Sequence, residues 1–169
     1  SSRARAADIA ARCLRQMTLN ASALAQAKSI SGSLQLFPRD WQRCSRHSLV
    51  SASRAWLAFD AVRQINQQGI IGDIVEVGVW HGGLSCLMAR AQARASKPNR
   101  SAWLFDTFEG MVAPSARDDR KSKHLWSLAL TGNASRYDMG GCPMEDGRWC
   151  YGSLQHVASV MDRSGLPRD

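Results

Sequence analysis

The apolar positions of this chain follow two different periods. Ala6, Ile9, Ala10, Cys13, Leu14 and Met17 recur at steps of three and four, with Arg5, Arg12 and Arg15 opposite, which predicts an amphipathic helix. Residues 29–47 (SISGSLQLFPRDWQRCSRH) sustain no period, and Gly32, Pro38 and the serines predict a connection. The helical step returns from a Ser48 cap to about Gln68, with Ala52, Ala55, Trp56, Phe59 and Val62 facing inward and Gly69 as the stop. Then the period changes. Residues 73–79 (DIVEVGV) form a short β-branched run between Gly72 and Gly82-Gly83, which predicts a buried strand. Leu84 to Ala95 reads as a helix, and residues 101–106 (SAWLFD) as a second strand ending on an acid. Strand, glycine turn, helix and strand make a βαβ unit, and the handedness rule for such crossovers predicts a parallel sheet. Residues 107–148 are a long polar stretch punctuated by Gly and Pro, with a helical turn or more over Leu125 to Leu130. Helical spacing resumes through Leu154, Val157, Val160 and Met161 and closes at Gly165-Leu-Pro167.

Composition narrows the class. A chain of 169 residues with 44% hydrophobic content is too apolar for a disordered tail and is long enough for one domain with a real core. No apolar run approaches the ~20 residues of a bilayer span, and the first residues hold no apolar signal core, so a cytoplasmic protein without a membrane partner is expected. The net charge of +8 is unevenly spread: residues 1–63 carry ten Lys and Arg against Asp8, Asp40 and Asp60, whereas residues 64–169 carry twelve against eleven acids. The N-terminal arginines are dispersed among Ala, Leu and Trp, which reads as a solvated helix face and argues against nucleic acid as a partner. Cys13, Cys44, Cys86, Cys142 and Cys150 are odd in number and lack CxxC spacing, so reduced thiols are expected, with no disulfide framework and no zinc site.

Chemistry is written most clearly at residues 76–83 (EVGVWHGG). A strand feeding a tight glycine turn into a helix N-terminus aims backbone N–H groups at a ligand, at the carboxyl edge of the sheet. A dinucleotide fold needs G-x-G-x-x-G, and Trp80 stands where its second glycine would let a pyrophosphate approach. A ligand without phosphates, such as S-adenosylmethionine, makes no such demand. Asp106 lies 28 residues after Gly78, where a carboxylate can accept hydrogen bonds from ribose hydroxyls or simply cap the next turn. Glu76 has two readings, a contact toward the amino-acid end of the cofactor and a structural hydrogen bond to the turn. His81, at the mouth of the turn, reads as a packing residue ahead of a base.

Residues 72–83 (GDIVEVGVWHGG), followed by residues 104–111 (LFDTFEGM), resemble the macrocin O-methyltransferase family, the TylF type, of S-adenosylmethionine-dependent enzymes. Residues 58–69 and 149–154 extend the resemblance over roughly residues 45–167. It implies an α/β fold of the class I methyltransferase, Rossmann-like type, with an incomplete parallel sheet preceded by N-terminal helices. Residues 1–47 would form an N-terminal helix and connection, and residues 48–169 the N-terminal half of the methyltransferase domain. The implied reaction is methyl transfer to a hydroxyl, typically on a sugar of a secondary metabolite, with a divalent metal, magnesium, in the complete enzyme. Carried over residue by residue, Glu76, Gly78 and Gly82 match the cofactor turn, Asp106 matches the ribose-binding acid, and Thr107 and Phe108 fall beside the adenosine. The metal carboxylates and the proton acceptor of such enzymes belong to Asp-rich and Asp-Asp-Tyr-like segments that these 169 residues lack. The chain is therefore expected to stop before the catalytic and metal-binding segments, and no catalytic residue or metal ligand is assigned to it. Asp118-Asp119 reads as part of a solvated ion-pair cluster with Arg117, Arg120 and Lys121. The partner implied is a small-molecule hydroxyl acceptor, and a homo-oligomer is compatible. The alternative function is a non-catalytic nucleoside-binding or interaction module.

Overall fold

The computed structural model describes residues 35–95, 99–132, 142 and 144–166. The helix expected over Ala6 to Met17 lies outside them. Where a connection was expected, residues 35–44 form a helix, α1, followed by a 3-10 turn at Ser45–His47. Phe37, Trp41 and Cys44 stand four and three residues apart and turn one face of α1 into the core. That spacing outweighs Pro38, which occupies the first turn described.

Helix α2 (Ala52–Gln67) begins three residues later than expected because Ser51, not Ser48, accepts the capping bond, from the Arg54 amide at 3.4 Å. It buries Ala55, Trp56, Phe59 and Val62. Strand β1 (Ile74–Val77), helix α3 (Gly83–Gln92) and strand β2 (Ala102–Phe105) follow as the expected βαβ unit, and the strands pair in parallel with Ile74 opposite Ala102 and Val77 opposite Phe105. Phe37, Trp56 and Phe59 meet edge to face at 5.1 and 5.6 Å between ring centres. Around them Leu87, Cys86, Ile74 and Val160 complete the main core.

Among the described residues, helices cover one face of this two-stranded sheet. The other carries Val75, Val77, Trp103 and Phe105, with Val77 80% and Phe105 54% exposed. In a doubly wound architecture further elements cover that face.

Across the interior, Asp40 of α1 is 1% exposed and is held by Arg90 Nε at 2.8 Å and an Arg94 amino group at 2.6 Å. The polar stretch after β2 is more structured than its composition predicts. Asp119 accepts from the Ser122 amide at 2.6 Å and starts α4 (Arg120–Leu130), well before Leu125. Two short strands, β3 (Met144–Glu145) and β4 (Arg148–Trp149), pair antiparallel, and α5 (Leu154–Met161) is capped by Ser153. Trp149 packs edge to face on Trp126 and donates its Nε1 hydrogen to the Cys142 carbonyl at 2.9 Å, anchoring a second, smaller core.

The cysteines correct one expectation. Cys142 and Cys150 are joined in a disulfide, their Cα atoms 4.8 Å apart, whereas Cys44 and Cys86 are free and buried. Eight residues of spacing carry no motif, and it is the hairpin of β3 and β4 that brings the two thiols together. No helix among the described residues is long and apolar enough to cross a membrane.

Candidate functional site

The glycine turn after β1 is built by conformational demand. Gly78 (φ 84°) and Gly82 (φ 78°) both sit in the left-handed region that glycine adopts without penalty. Gly83, starting α3, has a different reason: a Cβ there would collide with the carbonyl oxygens of His47 and Cys44, so only glycine lets the 3-10 turn lie across the helix end. Trp80 also adopts positive φ, at 50°, as does Phe108 at 56°, and a non-glycine residue held there stores about 1–2 kcal/mol.

Asp106 holds both strained residues. Its Oδ2 accepts from the amides of Val79 at 2.7 Å and Trp80 at 3.1 Å, and its Oδ1 accepts from the Phe108 amide at 3.0 Å. Burial pushes this carboxyl up, but the amides of Phe108, Trp80 and Val79 outweigh it and hold the group below its ordinary range. The capping reading of Asp106 is thus realised twice over, on the turn after β1 and on the turn after β2.

A cavity of about 610 Å³ opens at the carboxyl ends of the two strands. Val77, Gly78, Trp80, Phe105, Asp106 and Thr107 line one side, and Leu49, Met111 and the Cys142–Cys150 disulfide another. That size lies within the usual 300–1,000 Å³ of small-molecule sites, and its lining is mostly apolar with a few polar groups. Of the six residues expected to meet a cofactor, Gly78, Asp106 and Thr107 line this cavity, whereas Glu76, Gly82 and Phe108 do not. Glu76 turns toward α3 and accepts a hydrogen bond from the Ser85 hydroxyl, and burial raises its carboxyl above the ordinary range. Gly82 packs against Val157 of α5.

His81 stacks flat on Trp80, ring centres 3.8 Å apart at 6°. Its Nε2 lies 2.9 Å from the Tyr151 carbonyl and 3.0 Å from the Glu145 carboxylate. His156 of α5 reaches His47 of the 3-10 turn, Nε2 to Nδ1 at 3.2 Å. Burial, then the neighbouring His156 and Arg163, lower His47 to about 4, so it is neutral at ordinary pH. These three histidines come from positions far apart in the chain, and no spacing rule flags them.

Asp118 and Asp119 do not fit a divalent ion. Asp118 Oδ2 accepts from both the amide and the hydroxyl of Ser115, at 2.6 and 2.8 Å, and Asp119 is spent on the α4 cap. Among the described residues the one group of three or more side chains able to share a metal is the histidine trio, whose donors do not suit magnesium.

The chain is similar in sequence to several O-methyltransferases. An 8-demethyl-8-(2,3-dimethoxy-alpha-L-rhamnosyl)-tetracenomycin-C 4'-O-methyltransferase of Streptomyces olivaceus is 35% identical over 102 residues, covering 57% of this chain and 39% of that protein. A demethyldecarbamoylnovobiocin O-methyltransferase of Streptomyces niveus and a mycinamicin III 3''-O-methyltransferase of Micromonospora griseorubida are each 32% identical over 74 residues, covering 43% of this chain and 28% of each relative. The chain thus matches well under half the length of these relatives. No solved structure matches it significantly. The macrocin-O-methyltransferase (TylF) family model matches residues 3–137, which include α1, the whole βαβ unit and the Asp106 clamp, and the chain belongs to that family of O-methyltransferases.

Proposed function

We propose that this chain carries the cofactor-binding part of an S-adenosylmethionine-dependent O-methyltransferase of the class I, Rossmann-like type. In this reading residues 48–169 are the N-terminal half of that domain, and α1 packs onto it. The observation that carries the proposal is the cavity at the carboxyl ends of two parallel strands, bounded by a glycine turn on one side and an acid-tipped strand on the other.

The residues present fit the nucleoside. A carboxylate offers about four acceptor sites. Three on Asp106 are taken by the amides of Val79, Trp80 and Phe108, and the Thr107 hydroxyl stands 3.4 Å from Oδ1, a weak contact that a ribose hydroxyl can displace. Trp80 borders the pocket and its indole stacks on His81, and an adenosine would lie between Phe105, Met111 and the disulfide. Gly78 leaves open space where a side chain would otherwise stand. Glu76 supports this turn from behind, through Ser85.

When bound, S-adenosylmethionine supplies an electrophilic methyl on a sulfonium. The chain's own part is to hold that group in place, since in-line transfer gains most from positioning. The relatives' names point to a hydroxyl on a sugar or other part of a secondary metabolite as the acceptor. Magnesium is given no part in these residues.

Calorimetric titration of the chain with S-adenosylhomocysteine tests the reading. Binding is expected, and Leu49→Trp, which narrows the cavity without touching the Asp106 clamp, should weaken it at least about tenfold. A folded chain that binds nothing overturns the assignment and leaves an interaction module. If binding is found, mass spectrometry with magnesium and sugar acceptors reads methyl transfer.

A further inference from the structure

We propose that His47, His81 and His156 form a zinc site, with the fourth position open to a water. Each histidine can present one ring nitrogen such that all three lie within 4.8 Å of one another. A tetrahedral zinc holds its nitrogens roughly 3.3 Å apart, given Zn–N bonds of about 2.0–2.1 Å. The His47–His156 pair already stands at 3.2 Å, so it is the His81 nitrogen, within 4.8 Å of both, that must draw closer. Three imidazoles with one oxygen ligand are a donor set that zinc accepts, and Glu145 Oε2, 3.0 Å from His81 Nε2, adds negative charge beside them. Magnesium needs six hard oxygens and does not compete for imidazole.

The geometry gives the ion a task. His47 follows α1, His81 sits in the glycine turn, and His156 lies on α5, so one ion cross-links three segments separated by 34 and 75 residues. His81 is also stacked on Trp80, which borders the proposed cofactor cavity, so the ion would fix the wall of that cavity without touching its contents. Gly152 supports the same arrangement, since a Cβ there would strike the Trp80 carbonyl and reach the His81 ring. This inference is independent of the methyltransferase reading and holds whether or not S-adenosylhomocysteine binds.

The test uses the tag-free chain stripped with a chelator. Zinc added in competition with a colorimetric chelator should bind at one per chain, with a dissociation constant of about a micromolar or tighter. Cobalt should give the visible absorption of a tetrahedral nitrogen and oxygen site. In the unmutated protein zinc should shift the imidazole NMR signals of His47, His81 and His156 and leave that of His124 on α4 in place. His156→Gln should weaken zinc at least about tenfold, and His124→Gln should not. Failure of the folded chain to bind zinc more tightly than about a millimolar overturns the proposal, as do zinc shifts confined to His124 or to cysteine resonances. The NMR arm needs no variant, so a substitution that prevents folding leaves the proposal open to refutation.

Discussion

Asp106→Ala removes one carboxylate and thereby frees two turns. Three charge-assisted hydrogen bonds are lost, from Val79, Trp80 and Phe108. Bonds to charged groups contribute about 1.5–3 kcal/mol each, and the half-buried position puts these at the lower end, about 4–5 kcal/mol in all. Trp80 and Phe108, which store about 2–4 kcal/mol between them, would then relax in part from positive φ and return about 1–2 kcal/mol. The net loss is about 2–4 kcal/mol, which for a chain of this size lowers the melting temperature by about 4–16 °C. Asp106→Asn keeps one acceptor oxygen and should fall between. The carboxyl is depressed in the folded state, so its stabilisation is fully present above the ordinary value of 3.8 and is lost as pH falls through the lower folded value. Thermal melts followed by circular dichroism at pH 7, repeated in steps into that acid window, read both effects. A shift under about 2 °C at pH 7, or a gap between the proteins that fails to narrow in acid, would refute the clamp.

Other positions give sharper or simpler tests. Asp40→Ala strands Arg90 and Arg94 beside a buried gap and should cost about 3–5 kcal/mol in urea unfolding; an unchanged midpoint would mean the pair is solvated. Phe59→Ala, at 2% exposure in the aromatic cluster, should cost about 3–5 kcal/mol by the same measurement. Gly83→Ala drives a methyl into the His47 and Cys44 carbonyls and should abolish cooperative melting, whereas Gly132→Ala meets no atom and should show only the smaller penalty of its positive φ. Peptide mapping without reductant should recover Cys142 linked to Cys150, and Cys150→Ser should lower stability by about 2–3 kcal/mol.

The βαβ unit was legible because its information is local. A β-branched run, a glycine turn and an amphipathic helix announce themselves within a dozen residues, and the parallel sense of the two strands follows from the βαβ crossover, whereas their register, Val77 opposite Phe105, is set by the structure. Helix α1 was hidden by Pro38, although Phe37, Trp41 and Cys44 kept the helical step throughout. Helix α4 has a mostly polar first turn, so its start at Arg120 is set by the Asp119 cap and not by periodicity. Strands of two residues, as in the hairpin of β3 and β4, are too short for alternation to register, and the disulfide depends on that hairpin. The site divides along the same line. Gly78 and Asp106 declare themselves through strand ends, but the double duty of Asp106 emerges only when Val79 and Phe108 converge on it. Nothing in the sequence relates His47 to His156, because only tertiary packing sets their distance.

Arg100 lies outside every site described so far. Arg100 is 8% exposed, and its guanidinium donates to the Asn66 side chain at 2.8 Å and to the carbonyls of Ile65, Ile70 and Gly72 at the C-terminal end of α2 and in the turn beyond, the Ile65 carbonyl also accepting from the Ile70 amide. These carbonyls precede Arg100 by 28 to 35 residues, so during synthesis the end of α2 leaves the ribosome well before its partner does. The last turn of α2 is therefore expected to gain its full stability only when β2 docks, so that the strand pairing and the helix terminus close together. Pulse-labelled hydrogen exchange should accordingly show the amides of residues 65–70 gaining protection together with those of β2, and not with the first turns of their own helix.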